Sequence, residues 1–277
     1  MTADSSTRLF AVLGDPVAHS LSPRIQNAAF TAAGCNAVYV ALRCDAVHLA
    51  SVMRTLAAAG GGGNITVPHK QAAARALDQA SPLVDATGAC NTFFLANERL
   101  YGDNTDVAGF TAVARRLLPS LAGRRALVLG AGGAARAAVL SLLQHEAAQI
   151  VVASRTATTT RALIDQLDRH RQRISAAAGT ASVQGERFDL VVNATPLGLA
   201  DGDPLPIDLA TLAHAGAVLD MAYSATGETA WIRHAQHLGI ATAHGHDMLV
   251  EQGAAAFELW TGRAAPREIM RAALVGT

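Results

Sequence analysis

The turn at residues 130–135 constrains the fold of this chain more than any other feature. It reads GAGGAA, follows the apolar stretch Arg125–Leu129 and overlaps the start of the helical stretch Ala134–Gln144. A strand, a G-x-G-x-x-A turn and a helix, in that order, let bare backbone approach a pyrophosphate at the helix N-terminus. Such a turn can also serve packing alone, but this context favours dinucleotide binding. The candidate contacts are Gly130, Ala131, Gly132, Gly133 and Ala134.

The rest of the second half repeats the same alternation of strand and helix. Strands are predicted at Gln149–Ala153, Leu190–Asn193 and Val218–Met221, and a helix at Trp231–Leu238. This rhythm is typical of a doubly wound, Rossmann-type α/β domain. The basic, Ala-rich connector Arg169–Gly185 is assigned to neither helix nor strand, and the basic cluster in it is interpreted as a solvated helix face.

The first half predicts a second α/β unit with a mixed, mainly parallel sheet. A helix is expected to start at Ser22-Pro23 with Ser22 as its cap, and Gly60–Gly63 is expected to form a hinge. The predicted strands are Arg8–Leu13, Ala37–Leu42, Asn64–Val67 and a hairpin of Cys90–Leu95 with Glu98–Gly102. The other predicted helices are Val47–Ala59, Lys70–Gln79, Met248–Trp260 and Arg267–Leu274.

Composition excludes several classes of protein. The chain has 277 residues, of which 51% are hydrophobic and 16% charged, so it is not a disordered protein. Its formal net charge of zero argues against a general nucleic-acid binder. No apolar run is long enough for a membrane helix or a secretory signal, so we expect a soluble, cytoplasmic protein without membrane partners. Three cysteines without ligand spacing predict no metal site.

Lys70 is singular among the basic residues. The chain has 22 basic residues, and Lys70 is the only lysine, so the other 21 are arginine. Arginine is effectively always protonated, whereas lysine can be tuned to give and take a proton. The retained lysine therefore indicates a chemical role, although chance could also leave one solvated lysine in an Arg-rich chain.

Three polar clusters interrupt the apolar first half. They are HSLSP at 19–23, NITVPHK at 64–70, and the segments Asn91-Thr92 and Asp103–Asp106. Asn64 and Thr66 would face the same side of a strand. The hydroxyls, the amides, Lys70 and Asp106 suit a small polyhydroxylated ligand better than a metal.

The end of the second nucleotide-domain strand indicates which cofactor is bound. Ser154-Arg155-Thr156 follows this strand, and no acidic residue occurs before Asp165. A carboxylate there would bind the ribose hydroxyls of NAD, whereas an arginine favours the 2′-phosphate of NADP. NADP is therefore the predicted cofactor. The alternative is that Arg155 is only a surface charge.

A dinucleotide turn together with this polar cluster suggests hydride transfer to or from an alcohol. The hydroxyl proton must then leave or return, and a lysine paired with an aspartate can relay it. His19 and His69 are alternative proton carriers, but a flanking or structural role fits them better.

The motifs together resemble the shikimate dehydrogenase family along nearly the whole chain. They are HSLSP, GNITVPHK, ACNT, NTD, GAGGAARA, NATP and MLVEQGAAAFELWTG, in that order. The resemblance implies an NADP-dependent, reversible reduction of 3-dehydroshikimate to shikimate in the chorismate pathway. It also implies a substrate-binding domain at 1–107, completed by helices at 247–277, and a Rossmann NADP-binding domain at 108–246. The resemblance further implies that the active site lies in a cleft between these two domains.

Site residues follow from the resemblance by position. It implies that Lys70 and Asp106 are the catalytic pair. The implied substrate contacts are Ser20, Ser22, Asn64, Thr66, Asn91, Asp106, Tyr223 and Gln252. The implied cofactor contacts add Ser154, Arg155, Thr156, Thr195, Gly245 and Met248 to the glycine turn. A monomer or homodimer is expected.

Some positions depart from the family pattern. Ser154 stands where the family usually has Asn, Thr159 where a second cation is expected, and Gln26 where a histidine is frequent. A paralogue that acts on quinate or an amino analogue, or that uses NAD, therefore stays an alternative. A non-catalytic NADP-binding sensor is a further alternative, which the intact Lys70 and Asp106 argue against.

Overall fold

The computed structural model describes residues 4–168, 173–224 and 227–275, and these form two compact units. The first unit comprises Met1–Gly109 with Leu249–Thr277, and the second comprises Phe110–Met248. Each unit contains one sheet with helices on it, and both sheets are mainly parallel. The predicted α/β fold class is confirmed. Among the described residues, no helix has the length and apolar character needed to cross a bilayer.

The first unit is built on a six-stranded sheet with the order β2-β1-β3-β5-β6-β4. Strands β1, β2 and β3 are parallel, whereas β5 pairs antiparallel with both β3 and β6. The strands are β1 Arg8–Gly14, β2 Ala37–Arg43, β3 Gly62–Ile65, β4 Gln79–Ala80, β5 Thr92–Ala96 and β6 Arg99–Asp103. The helices are α1 Ser22–Ala32, α2 Leu49–Ala58, α3 Lys70–Ala76, α4 Pro82–Thr87, α5 Thr105–Leu117, α9 Gly245–Thr261 and α10 Arg267–Val275. Helices α5 and α9 each have residues in both units.

Alternate residues of β1 supply two cores of the first unit. Leu13 packs with Met53 of α2 on one face, whereas Phe10 contacts the rings of Phe30 and Trp260 on the other. Burial of both faces explains why β1 reads as a continuous apolar run in the sequence.

The second unit contains a fully parallel sheet with the order β12-β11-β10-β7-β8-β9. Strand order reverses between β7 and β10, and ligands of such sheets bind outside the carboxyl ends of the strands at that point. The strands are β7 Arg125–Leu129, β8 Gln149–Ala153, β9 Ile174–Ala177, β10 Arg187–Asn193, β11 His214–Asp220 and β12 Ala241–Ala243. The helices are α6 Gly133–Gln144, α7 Ala157–Leu167 and α8 Ala230–His237.

The predicted capping role of Ser22 is wrong. Helix α1 begins at Ser22, its N-cap is Leu21 in a helical conformation, and no side chain caps it. Instead, the Ser22 amide donates to Ser20 Oγ at 3.3 Å. The helical conformation of Leu21 moves the start of the helix one residue earlier than the Ser-Pro pattern indicates.

The predicted glycine hinge is also wrong for its second half, because Gly62 and Gly63 belong to β3. A Cβ on Gly61 would lie 1.8 Å from Leu9 O, and one on Gly63 would lie 2.1 Å from Ala11 O. These glycines therefore allow close approach to β1, and only Gly60 has a left-handed φ, at +78°.

The helix predicted at Lys70–Gln79 ends at Ala76 instead. The Asp78 amide donates to Leu100 O at 3.0 Å, and Asp78 Oδ2 accepts from the Leu100 amide at 2.9 Å. Strand β6 thus draws this segment out of the helix, and Gln79 joins the short strand β4. This is a tertiary override of helix propensity.

The basic connector contains a strand that the sequence did not indicate. Most of its basic cluster, at residues 169–172, lies outside the described residues, and Ile174–Ala177 form strand β9 next to β8. The sequence also failed to indicate α7, which has three successive threonines in its first turn and hence low helix propensity there.

Candidate active site

Lys70 and Asp106 meet in the first unit. Lys70 is the first residue of α3, and Asp106 lies in the first turn of α5. Lys70 Nζ contacts Asp106 Oδ2, and the two side chains are only 17% and 8% exposed. The carboxylate is stabilised at the N-terminus of α5 by the helix dipole. Because the pair is largely shielded from water, the attraction between the two groups is screened less than it would be at the surface.

Asn91 fixes the second oxygen of Asp106. Its Nδ2 donates to Asp106 Oδ1 at 2.8 Å, and its Oδ1 accepts from the Thr105 amide at 2.7 Å. Asn91 follows Cys90, whose amide donates to Lys70 O at 2.9 Å. The segment Cys90-Asn91, which hydrogen-bonds to Asp106, is therefore also hydrogen-bonded to the first residue of α3.

Gln252 of α9 joins this cluster. Its Oε1 lies 3.4 Å from Asn91 Nδ2, and its Nε2 donates to Leu249 O at 2.9 Å. A Cβ on Gly109 would lie 2.9 Å from both Cβ and N of Gln252. The glycine one turn beyond Asp106 therefore lets α5 and α9 approach closely enough for Gln252 to reach the cluster.

Asn64 joins the same network both as a donor and as an acceptor. Its Nδ2 donates to Thr92 Oγ1 at 2.8 Å and to Asn91 O at 3.1 Å, so both amide hydrogens are engaged. Its Oδ1 accepts from the buried Tyr39 hydroxyl at 2.7 Å. A carbonyl oxygen has two lone pairs, so Asn64 Oδ1 retains one acceptor position for a ligand.

Three residues of this network were not among the predicted site residues. They are Tyr39, Thr92 and Thr105, and all three are buried. Thr92 and Thr105 stand inside the ACNT and NTD motifs, so the motifs did contain them. Tyr39 could have been found as the one hydroxyl in the otherwise apolar strand AVYVAL.

The remaining predicted substrate residues of the first unit follow β1 and β3. Ser22 is buried, whereas Ser20 and Thr66 are half-buried. Thr66 lies just beyond β3, and its amide donates to Leu13 O at 2.9 Å. A Cβ on Gly14 would lie 2.4 Å from Thr66 Cγ2, so the threonine packs against the end of β1. These residues therefore lie at the carboxyl edge of two neighbouring parallel strands.

The two histidines differ from each other in environment. His69 is buried, and its Nε2 lies 2.7 Å from Cys44 O, a contact that fits a structural role. His19 is exposed. Within the described ranges, no group of three or more His, Cys, Asp or Glu side chains could hold a metal ion.

The glycine turn of the second unit differs in packing between its first and third residues. Gly130 has a φ of +111°, and a Cβ there would lie 2.9 Å from Ala194 O. Gly132 is the N-cap of α6, and a Cβ on it would meet no atom within 4 Å. The turn is therefore closely packed at its first glycine and open at the helix N-terminus.

The segment Ser154-Arg155-Thr156 lies beside this turn. The Gly130 amide donates to Ala153 O at 2.8 Å, which places the end of β8 next to the glycine. Arg155 is exposed, whereas Ser154 Oγ is 2.7 Å from Thr160 Oγ1. Thr159 Oγ1 donates to Thr156 O at 2.7 Å, so its hydroxyl is engaged locally.

The other predicted site residues of the second unit follow β10, β11 and β12. Thr195 comes two residues after β10, and Tyr223 three residues after β11. A Cβ on Gly245 would lie 2.0 Å from Ala222 O, so α9 begins against the segment that contains Tyr223. Met248 is 4% exposed and packs in the apolar core of this unit.

A doubly wound nucleotide unit and a unit with a buried Lys–Asp pair define the class of NAD(P)-dependent dehydrogenases. Residues 12–93 match the model for the shikimate dehydrogenase substrate binding domain, and 112–196 match that for shikimate/quinate 5-dehydrogenase. Residues 245–275 match the shikimate 5′-dehydrogenase C-terminal domain. The chain belongs to the shikimate dehydrogenase family, as its motifs predict.

Curated relatives match over nearly their whole length. The shikimate dehydrogenase (NADP(+)) of Salinibacter ruber is 41% identical, and the match covers 99% of both chains. The enzyme of the same name from Geobacter sulfurreducens is 39% identical, over 99% of this chain and 98% of that protein.

Solved structures of the same fold also match nearly the whole chain. The shikimate dehydrogenase of Aquifex aeolicus has a TM-score of 0.89 at 31% identity, over 99% of this chain and 100% of that one. The Thermus thermophilus enzyme in complex with NADP(H) and shikimate has a TM-score of 0.82 at 33% identity, over 97% and 99%. The 5-ketofructose reductase of a Gluconobacter strain has a TM-score of 0.84 at 29% identity, over 97% and 98%.

Proposed function

We propose that this chain catalyses the reversible, NADP-dependent reduction of 3-dehydroshikimate to shikimate, with Lys70 and Asp106 as its proton relay. The names of the curated relatives bear out the predicted enzyme class and cofactor. The observation that carries the assignment of the relay is the buried contact between Lys70 Nζ and Asp106 Oδ2.

The relay supplies the proton half of the reaction. When a hydride leaves the carbon that bears the substrate hydroxyl, the hydroxyl proton must pass to a nearby base; in the reverse direction it must be returned. Lys70 and Asp106 accept and return this proton as one coupled unit. Asn91 holds Oδ1 of Asp106, which keeps Oδ2 directed at the lysine.

The substrate residues divide by the groups they offer. Asn64 offers an acceptor for a ring hydroxyl, and Ser20, Ser22 and Thr66 offer hydroxyl groups from the ends of β1 and β3. Asn91 and Gln252 present amides next to Asp106. The proposed substrate contacts of the chain are Ser20, Ser22, Asn64, Thr66, Asn91, Asp106, Tyr223 and Gln252.

The second unit is the proposed NADP-binding domain. The close packing at Gly130 and the open space at Gly132 fit a pyrophosphate at the N-terminus of α6. Arg155 is exposed and can pair with a 2′-phosphate, and Ser154 and Thr156 lie next to it in the chain. The nicotinamide of bound NADP supplies or accepts the hydride. The proposed cofactor contacts are Gly130, Ala131, Gly132, Gly133, Ala134, Ser154, Arg155, Thr156, Thr195, Gly245 and Met248.

A second candidate is a related reductase with a different ring or sugar substrate. The structural likeness to a 5-ketofructose reductase favours it, because that protein has the same fold and a differently named substrate. The replacement of an expected second cation by Thr159 favours weaker discrimination between NADP and NAD.

The test is an absorbance assay of the reduced nicotinamide with purified protein, crossing shikimate and quinate against NADP and NAD. We expect fast turnover only with shikimate and NADP. Turnover with quinate or NAD would place the chain with the broader-range enzymes instead. Inactivity in all four combinations would contradict the proposed activity, and tight binding of NADP without any turnover would then favour a non-catalytic NADP-binding sensor. The cytoplasmic location and the monomeric or homodimeric state stay predictions.

A further inference from the structure

Asp220 is a buried carboxyl group that the proposed mechanism does not use. It ends β11, is 0% exposed, and pairs in register with Asn193 at the end of β10. Its Oδ1 accepts from Asn193 Nδ2 and from the Ala222 amide, each at 3.0 Å. Its Oδ2 accepts from Thr229 Oγ1 at 2.7 Å. Three neutral donors therefore converge on this carboxylate at the edge of the sheet where the cofactor is proposed to bind.

Asn193 connects this carboxylate to the loop that contains Thr195. Its Oδ1 accepts from the Thr195 amide at 3.0 Å and from the Thr195 hydroxyl at 2.7 Å. Its Nδ2 also donates to Leu197 O at 3.1 Å. The orientation of the Thr195 hydroxyl thus depends on an asparagine whose own orientation is fixed by Asp220.

Asp220 also fixes the loop that contains Tyr223. The Ala222 amide is held by the carboxylate, and Ala222 O lies against Gly245, where a Cβ would come within 2.0 Å. The peptide groups on both sides of Ala222 are therefore constrained. Tyr223 follows directly, and its backbone position is set by these two contacts.

The choice of an aspartate here has a cost. Burial raises the pKa of Asp220 to about 7, although the bonds from Thr229, Ala222 and Asn193 act in the opposite direction. Burying a carboxylate without a cation is unfavourable, so a need for packing alone would be met better by a neutral side chain. A carboxylate offers acceptors to all three donors, and two of these donors, Asn193 Nδ2 and the Ala222 amide, share Oδ1.

We propose that Asn193 and Asp220 are the positioning residues of the nucleotide unit, which set the Thr195 hydroxyl and the Tyr223 backbone for cofactor binding and turnover. In this proposal they act through these neighbours. This inference rests on the proposed function, because Thr195 and Tyr223 have their roles only within it.

The test compares the same substitution at two aspartates of the second unit. Asp189 lies near the other end of β10, where it accepts from the Arg125 amide at 2.8 Å and from Arg124 Nη1 at 3.1 Å. We expect Asp220→Ala to lower kcat/KM for NADP by about tenfold or more and to speed hydrogen exchange at the Thr195 and Ala222 amides. Asp189→Ala is expected to lower Tm while kcat and KM measured well below Tm stay within twofold of wild type.

A conservative variant separates positioning from simple loss of structure. Asp220→Asn keeps an acceptor at Oδ1 and is expected to recover most of the activity lost in Asp220→Ala. If Asp220→Ala does not fold, Asn193→Ala breaks the same link from the other strand, and the same loss in kcat/KM is expected. Kinetic constants within twofold of wild type in a folded Asp220→Ala or Asn193→Ala would overturn the proposal. So would an equal kinetic loss in Asp189→Ala.

These outcomes are distinguishable from failure of the proposed function. If the wild-type protein does not oxidise shikimate, the proposed activity is wrong. Binding of NADPH, followed by its fluorescence, together with amide exchange at Thr195 and Ala222 still tests the positioning role in that case. Unchanged exchange and unchanged NADPH affinity in the Asp220 variant would then reject it.

Discussion

The two aspartates Asp106 and Asp220 occupy opposite electrostatic environments. Asp106, in the first unit, is paired with the cation of Lys70, whereas Asp220, in the second unit, is surrounded by neutral donors. A carboxylate next to a lysine can exchange a proton with it, whereas a carboxylate among amides and a hydroxyl has no partner for such an exchange and accepts their hydrogen bonds. The comparison teaches that an aspartate moves protons or positions its neighbours according to the partners that the fold supplies.

The sharpest contrast is expected from the same substitution at both sites. Asp106→Asn should lower kcat by about 10²–10⁴-fold, since general acid–base groups contribute that range and an amide cannot take up the proton. Asp220→Asn should retain most of its activity, because one acceptor oxygen remains in place. Steady-state kinetics of both variants with shikimate and NADP measure the difference. Similar losses in the two variants would remove the distinction between proton transfer and positioning.

The next largest effect is expected at the cofactor segment. Arg155→Ala should raise KM for NADP about 10–100-fold, since a hydrogen bond to a charged group contributes about 1.5–3 kcal/mol. KM for NAD, which lacks the 2′-phosphate, should change little. Arg161→Ala, an exposed arginine in helix α7 that follows Arg155, is the control, and KM for both cofactors should stay near wild type in it. An equal effect of Arg155→Ala on NADP and NAD would mean that Arg155 does not contact the 2′-phosphate.

The buried charge of Asp220 should appear as a pH dependence of stability. Its pKa is about 7 in the folded protein and lies near the ordinary value of 3.8 when unfolded, so the folded state binds the proton more tightly. Stability relative to Asp220→Asn should therefore fall as the pH rises through 7, by roughly 2–3 kcal/mol between pH 5 and 8.

Urea unfolding can measure this difference in stability between the protein with Asp220 and its Asp220→Asn variant, if both also have the substitution Trp260→Phe. Trp231, in α8 of the second unit, is then the only tryptophan and reports on that unit. If the difference in unfolding free energy between these two proteins is the same at pH 5 and pH 8, Asp220 does not titrate in this range.

The smallest effect is expected at Tyr39. Tyr39→Phe removes the hydroxyl that donates to Asn64 Oδ1 and should raise KM for shikimate by about 3–10-fold, as for the loss of one neutral hydrogen bond. We expect kcat to change less, because Lys70 and Asp106 keep their contacts. A large loss of kcat without a change in KM would place Tyr39 in the proton-transfer machinery instead.

Features encoded by local sequence were the ones that could be predicted. The glycine turn at 130–135, the strands beside it and the residues of the NITVPHK and NTD motifs were visible because each motif is short and continuous. The end of α3 was not, because Leu100 of a distant strand determines it. Helix boundaries that depend on such tertiary hydrogen bonds leave no local pattern.

The networks that support the site were equally hidden. The contact between Tyr39 and Asn64 joins two strands that are separated by β1, and that between Asn193 and Asp220 depends on the register of β10 and β11. Register is a property of the assembled sheet, so neither pair could be inferred from spacing along the chain.

Lys70→Ala is the strongest test of the proton relay formed by Lys70 and Asp106. We expect kcat with shikimate and NADP to fall by orders of magnitude, while the Kd for shikimate, measured by calorimetry, stays close to wild type. Lys70→Arg should be almost as inactive, because a guanidinium keeps the charge but does not release its proton. Near-normal turnover in Lys70→Ala, or full activity in Lys70→Arg, would contradict the proton relay.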